Sequence, residues 1–278
     1  MSLTIAKAVL AGAVLAGSVL VGACGMPAPR ELVIFAAASL RDAFETERAA
    51  FEAENPGVEV QLQFAGSQEL AARLRLGARA DVIATADWPT LDVLHADGLT
   101  ASPRDLAGNH LIIAVHPSAA TRVRAFDDLP RAGRLGLGAP SAPVGRYADA
   151  AIAAAGATLG EEFLREVRAA VTTREPNARQ LLARLRLGEL DAAILYATDA
   201  QAAPELLTFA LPNAIAPPVK LAIAETTAPD RHPLSAAWVA RLTSPAGQAA
   251  LTAAGFVATS PSAGTDARHV APDTSSTP

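Results

Sequence analysis

Apolar positions along this chain switch repeatedly between strand and helix spacing. Residues 31–39, ELVIFAAAS, form a continuous apolar run of strand type. Leu40, Ala43, Phe44 and Phe51 then recur at helical intervals until Asn55, Pro56 and Gly57 stop the helix. Val58, Val60, Leu62 and Phe64 alternate with polar residues, which predicts a strand with one buried face. Residues 67–77 predict a helix, 80–86 a strand and 87–98 a helix. HLIIAVHP at 110–117 predicts a continuous buried strand.

After that strand the pattern restarts. Residues 133–140 predict a strand, 144–156 and 161–169 two helices, 169–174 a strand, 176–188 a helix and 191–197 a strand. A further strand is expected at 219–227 and a helical stretch at 234–254. Strands alternating with helices imply parallel sheets covered by helices on both faces. The restart implies two such lobes. Each lobe holds one copy of ARLRLG, at 72–77 and 183–188, in a helix that leads into an apolar strand.

The two ends of the chain have a different texture. No charge occurs between Lys7 and Arg30, and 8–23 is a run of Ala, Val, Leu and Gly, which predicts a secretory signal over 1–23. Ala and Gly make this run only weakly apolar for a spanning helix. Cys24, the single cysteine, directly follows it in LVGACG, which resembles a bacterial lipobox and implies lipidation and a membrane anchor. One cysteine permits no disulfide within a monomer. Residues 24–30 then form a tether. Residues 259–278 are rich in Ser, Thr, Pro and Ala without periodicity, and a disordered tail is expected there. The chain is 51% hydrophobic and 18% charged, ample for a packed core, and its net charge of −5 argues against a nucleic-acid partner.

In parallel α/β sheets, ligands sit beyond the strand carboxyl ends, where helix N-termini converge. At the first such junction Ser39 stands as an N-cap with Asp42 three residues on, a capping-box spacing. Gly66 and Ser67 open the second helix. Pro143, Val144 and Gly145 lead into a third, Pro176, Asn177 and Ala178 into a fourth, and Tyr196 ends a strand. Each has a structural explanation by itself, since a serine cap is worth about 1 kcal/mol. Together they supply hydroxyls and backbone N–H groups with almost no formal charge, chemistry suited to a small anion.

Four separated motifs, VIFAAASLRDAF, FAGSQELAARLRLGARADVIATAD, PVGRYADAA and ILYATDA, resemble the molybdate-binding proteins of ABC transporters over 31–258. The resemblance implies a two-lobed α/β type II periplasmic-binding fold, each lobe a mostly parallel sheet flanked by helices. Lobe one would comprise 31–112 and 222–258, and lobe two 113–221, with the ligand cleft between them. It implies oxyanion contacts at Ser39, Ser67, Val144, Ala178 and Tyr196, molybdate or tungstate as ligand, no cofactor, and a permease as partner to a monomer in the cell envelope. Gly66 and Gln68 stand where the family is often richer in serine. Pro176 stands near the fourth contact, where an acidic residue is common, and it brings no N–H, so donors there fall to Asn177 or Ala178.

Other readings remain open at this level. Sulfate or phosphate would use the same donors, because sequence does not give a cavity radius. Ferric iron would need several Tyr, His or carboxylate ligands, and the chain has two tyrosines. An exported serine hydrolase would pair Ser39 or Ser67 with His95, His110, His116 or His232, yet no G-x-S-x-G or H-E-x-x-H motif occurs. GLGAPS at 136–141 is a partial dinucleotide-loop match that lacks its third glycine. An envelope sensor on the same fold is the remaining alternative.

Overall fold

A computed structural model describes residues 30–259. The expected signal, Cys24, the tether up to residue 29 and the tail from 260 onward lie outside the described residues.

Two five-stranded sheets carry the fold. The first has the order β2-β1-β3-β10-β4, from β1 (Arg30–Ala37), β2 (Val58–Ala65), β3 (Val82–Thr85), β4 (Arg104–Asn109) and β10 (Val219–Glu225). The second has the order β7-β6-β8-β5-β9, from β5 (Leu111–Val115), β6 (Leu135–Gly138), β7 (Val171–Glu175), β8 (Ala192–Tyr196) and β9 (Leu207–Ala210). In each sheet the first of the three strands that pair in parallel, β1 or β6, lies between the other two, and a strand arriving from the other lobe, β10 or β5, comes next.

That arriving strand is the one reversed strand in each otherwise parallel sheet, so both sheets are mostly parallel, as expected, but mixed. β1 pairs in parallel with β2 and β3, and β6 with β7 and β8, but β10 runs antiparallel to β3 and β4, and β5 antiparallel to β8 and β9. The parallel strands end at the cleft. A strand that has just crossed between lobes begins there, so it must point the other way; Leu111 stands opposite Tyr196, and Val219 opposite Asn109. The crossings fall at His110 and between Ala210 and Val219. Expected boundaries at 112/113 and 221/222 would have cut β5 and β10 in two, and whole strands stay with one sheet.

The helices are α1 (Arg41–Glu54), α2 (Ser67–Arg75), α3 (Trp88–Ala96), α4 (Pro143–Ala170), α5 (Ala178–Arg186), α6 (Ala197–Gln201), α7 (Ser235–Thr243) and α8 (Pro245–Ala253). Gly160, at φ 82°, interrupts α4 where two helices were expected. The single C-terminal helical stretch is two helices, because Pro245 begins α8 and Ser244 caps it through the Gly247 N–H. β4 and β9 were not predicted. RDLAGN and LTFA carry little periodicity and become strands by pairing with β10 and β5. Phe44 and Phe51 of α1 meet Trp238 of α7 edge-on at 5.8 and 5.2 Å, which packs the C-terminal helices into lobe one.

The repeated ARLRLG occupies matching places, as the ends of α2 and α5. Gly77 (φ 86°) and Gly188 (φ 70°) take the left-handed conformation that turns each chain toward its next strand. A buried aspartate follows in each case. The Asp81 N–H donates to Val33 O at 2.7 Å, pinning β3 beside β1, and the Asp191 N–H donates to Arg134 O at 2.9 Å, pinning β8 beside β6. The repeat is therefore the far end of one helix-to-strand unit used once per lobe.

Candidate functional site

A cavity with about 240 Å³ of atom-free space, part of it open solvent, lies where the two lobes meet. Ser39, Ser67, Val144, Ala178 and Tyr196 all line it, the first two from lobe one and the others from lobe two. None of its lining residues carries a formal charge.

Ser39 sits otherwise than expected. It lies inside the short 3₁₀ turn Ala38–Leu40 that feeds α1, and makes no capping hydrogen bond. The capping box fails because the Asp42 carboxylate pairs with Arg179 of lobe two instead. The buried Ser39 hydroxyl is thus left uncommitted beside the cavity.

Ser67 is the first residue of α2, with Gly66 as its extended N-cap. Its Oγ accepts the Ala86 N–H at 3.0 Å, which occupies a lone pair and leaves the hydroxyl proton for another acceptor.

Lobe two contributes two helix N-termini. In α4 the first residue is Pro143, and the first N–H to bond back is that of Arg146, to Ala142 O at 3.0 Å. The Val144 and Gly145 N–H groups precede it and have no intrahelical acceptor. In α5 the Asn177 side chain accepts the Gln180 N–H at 3.0 Å, and Leu181 N bonds to Asn177 O at 3.2 Å. Asn177 is therefore the cap, and the free donors after Pro176 are the Ala178 and Arg179 N–H groups. Both N-termini carry the positive end of a helix dipole.

Tyr196 ends β8 with its hydroxyl buried and without a hydrogen-bond partner. Burial, with smaller contributions from Tyr147, Asp199 and Asp87, pushes its pKa well above the ordinary tyrosine value. The group is a neutral hydroxyl with a proton to give. An orphaned buried hydroxyl costs about 1–3 kcal/mol, so this wall of the cavity is built for a partner that accepts.

Sequence reasoning missed the residues that join the lobes. Arg146 pairs with Asp87, Arg179 with Asp42, and Gln68 Nε2 donates to Pro176 O at 2.7 Å. Asp42, Gln68, Arg146, Pro176 and Arg179 each stand within three residues of an expected contact, and Asp87 does not.

The family model described as bacterial extracellular solute-binding protein matches residues 32–257. The chain belongs to this family. The solute-binding protein is 33% identical over 248 residues to the molybdate-binding protein ModA of Mycobacterium tuberculosis, covering 84% of this chain and 91% of that one. Among solved structures it is similar to the sulfate-binding protein SubI of M. tuberculosis, with a TM-score of 0.74 at 18% identity over 84% of this chain and 88% of that one. It is likewise similar to the periplasmic molybdate-binding protein of Azotobacter vinelandii, with a TM-score of 0.71 at 17% identity over 81% and 98%. These structural likenesses carry the two-lobed α/β fold. Among the described residues no group of three or more His, Cys, Asp or Glu could hold a metal ion.

Proposed function

We propose that this solute-binding protein captures a tetrahedral oxyanion, molybdate or tungstate, outside the cytoplasm and hands it to an ABC importer. The carrying observation is the buried, unpartnered Tyr196 hydroxyl on an uncharged cavity wall, facing a site bordered by helix N-termini. The 33% identity to a molybdate-binding ModA supports the choice of ligand. Ser39 and Ser67 donate from lobe one, and Val144, Ala178 and Tyr196 from lobe two. Each hydrogen bond to a charged group contributes about 1.5–3 kcal/mol, so several offset desolvation of the ion. An all-donor pocket penalises a protonated ion, whose own O–H finds no acceptor. The protein acts as a monomer without a cofactor or catalytic step, and Cys24 carries the lipid that holds it at the envelope; mass spectrometry of the mature N-terminus tests that anchor.

The deciding experiment is thermal unfolding with molybdate, tungstate, sulfate, phosphate or ferric citrate. A ligand at about a thousand times its dissociation constant adds roughly 4 kcal/mol. For a body of this size the midpoint rises by roughly 8–16 °C. The expected result is a rise with molybdate and tungstate alone. A rise with sulfate or phosphate instead reassigns the ligand, and no rise with any of them overturns the oxyanion reading.

A further inference from the structure

Among the described residues, every ion pair but two stays within one lobe. The two that cross are Arg146–Asp87 and Arg179–Asp42. We propose that these two pairs are latches that hold the lobes together around the cavity, with or without ligand, and that Arg146 and Arg179 are positioning residues for the oxyanion site.

The latches are mounted on the elements that line the cavity. Arg146 lies two residues beyond Val144 in the first turns of α4, and Arg179 directly follows Ala178 in α5. Their partners lie as close to the lobe-one lining, with Asp87 directly after Ala86 and Asp42 three residues beyond Ser39. None of the four lines the cavity itself. Forming the pairs therefore sets the distance between the donors of one lobe and those of the other.

Each guanidinium is also aimed from its surroundings. Arg146 donates to Thr90 Oγ1 of lobe one at 3.1 Å and to Ser141 O of its own lobe. Arg179 Nε lies 3.2 Å from Oδ1 of Asp199, a buried carboxylate of its own lobe. Arg179 thus has a buried acidic neighbour in lobe two and an exposed partner in lobe one. Pairing also offsets the positive charges of two arginines that stand beside the cavity lining, and the lining itself is left with neutral donors.

The test separates a latch from a simple field effect, and it rests on the proposed oxyanion function only in its ligand arm. The Asp42 side chain is 63% exposed, so Asp42→Asn leaves the fold intact. Removing a negative charge near an anion site would tighten binding through the field alone. A broken latch does the reverse. Stopped-flow release of molybdate is expected to be about two- to fivefold faster in Asp42→Asn, the range for one exposed pair, with association little changed. Asp42→Glu, which keeps the charge and leaves Arg179 on Asp199, is expected to keep the slow release.

The second arm needs no ligand. Spin labels at Asp92→Cys and Glu166→Cys, in a chain with Cys24→Ser, report the inter-lobe distance. The ligand-free protein is expected to show a closed population that Asp42→Asn loses and Asp42→Glu keeps. Tighter molybdate binding by Asp42→Asn, or a ligand-free distance distribution that Asp42→Asn leaves unchanged, overturns the latch. If molybdate does not bind at all, the oxyanion reading fails and the label distances still decide the latch.

Discussion

The side-chain amide of Gln68 reaches across the cleft and donates to the main-chain carbonyl of Pro176 at 2.7 Å. These are two positions at which the sequence departs from the pattern of the molybdate-binding proteins, and in the structure they meet. Gly66 completes the arrangement. A Cβ at Gly66 would stand 2.6 Å from Gln68 Nε2 and 2.7 Å from Pro176 O. What reads in sequence as a serine-poor loop is a hydrogen bond between lobes, with a glycine that leaves room for it.

Gln68→Ala removes one such hydrogen bond, worth about 0.5–1.5 kcal/mol, and weakens the oxyanion by two- to tenfold on the order of that energy. Gly66→Ala breaks the same bridge by crowding it, although Gln68 is intact. The double variant is therefore expected to cost less than the sum of the two singles. Calorimetric titration of all three measures this, and strict additivity would show that Gly66 and Gln68 act separately.

Tyr196→Phe separates binding from stability. The hydroxyl has no partner in the described structure, so its removal does not lower the unfolding midpoint of the ligand-free protein and raises stability by up to about 1 kcal/mol. The same change deletes a hydrogen bond to a charged ligand, worth about 1.5–3 kcal/mol, or roughly ten- to a hundredfold in affinity. Denaturation and titration of one preparation test both halves. A variant that loses stability but keeps affinity would place Tyr196 in the core instead of the site.

Gly145 sets how closely the N-terminus of α4 approaches the end of β6. A Cβ there would lie 2.0 Å from Ala139 O and 2.6 Å from Gly138 O, both main-chain atoms that cannot swing aside. Gly145→Ala is expected to destabilise the protein by about 1–3 kcal/mol and to shift the Val144 N–H. Affinity should fall together with stability. Unchanged urea unfolding would show that the turn has slack.

Much of this was legible in the sequence. The alternation of strand and helix spacing places the two lobes, and Ser39, Ser67, Val144, Ala178 and Tyr196 all reach one cavity because strand-to-helix junctions of parallel strands converge by topology. Local pattern fails where long-range pairing decides. β4 and β9 lack periodicity, and the reversed direction of β5 and β10 follows from the path of the chain between lobes. Asp42 looks locally like a capping partner for Ser39, and an arginine 137 positions away takes it instead. Residues that bridge the lobes stand near the expected contacts, but no local pattern names their partners, which are set by how two separate sheets face each other.

Asp199 gives the pH dependence. Burial lifts its carboxyl from 3.8 to about 7, even though Arg179 favours the charged form. In the unfolded chain the same group ionises near its ordinary value. Between about pH 4 and pH 7 the unfolded state therefore sheds a proton that the native state keeps, and stability falls as pH rises through this window. At about 1.36 kcal/mol per tenfold change in proton affinity, the loss between pH 5 and pH 8 is on the order of 2–3 kcal/mol. Asp199→Asn resembles the protonated acid and cannot ionise, so this loss disappears. Urea unfolding at pH 5 and pH 8 should show the variant gaining on the native sequence at the higher pH. Parallel profiles for the two proteins would mean that Asp199 is already ionised in the fold at pH 5, held there by Arg179.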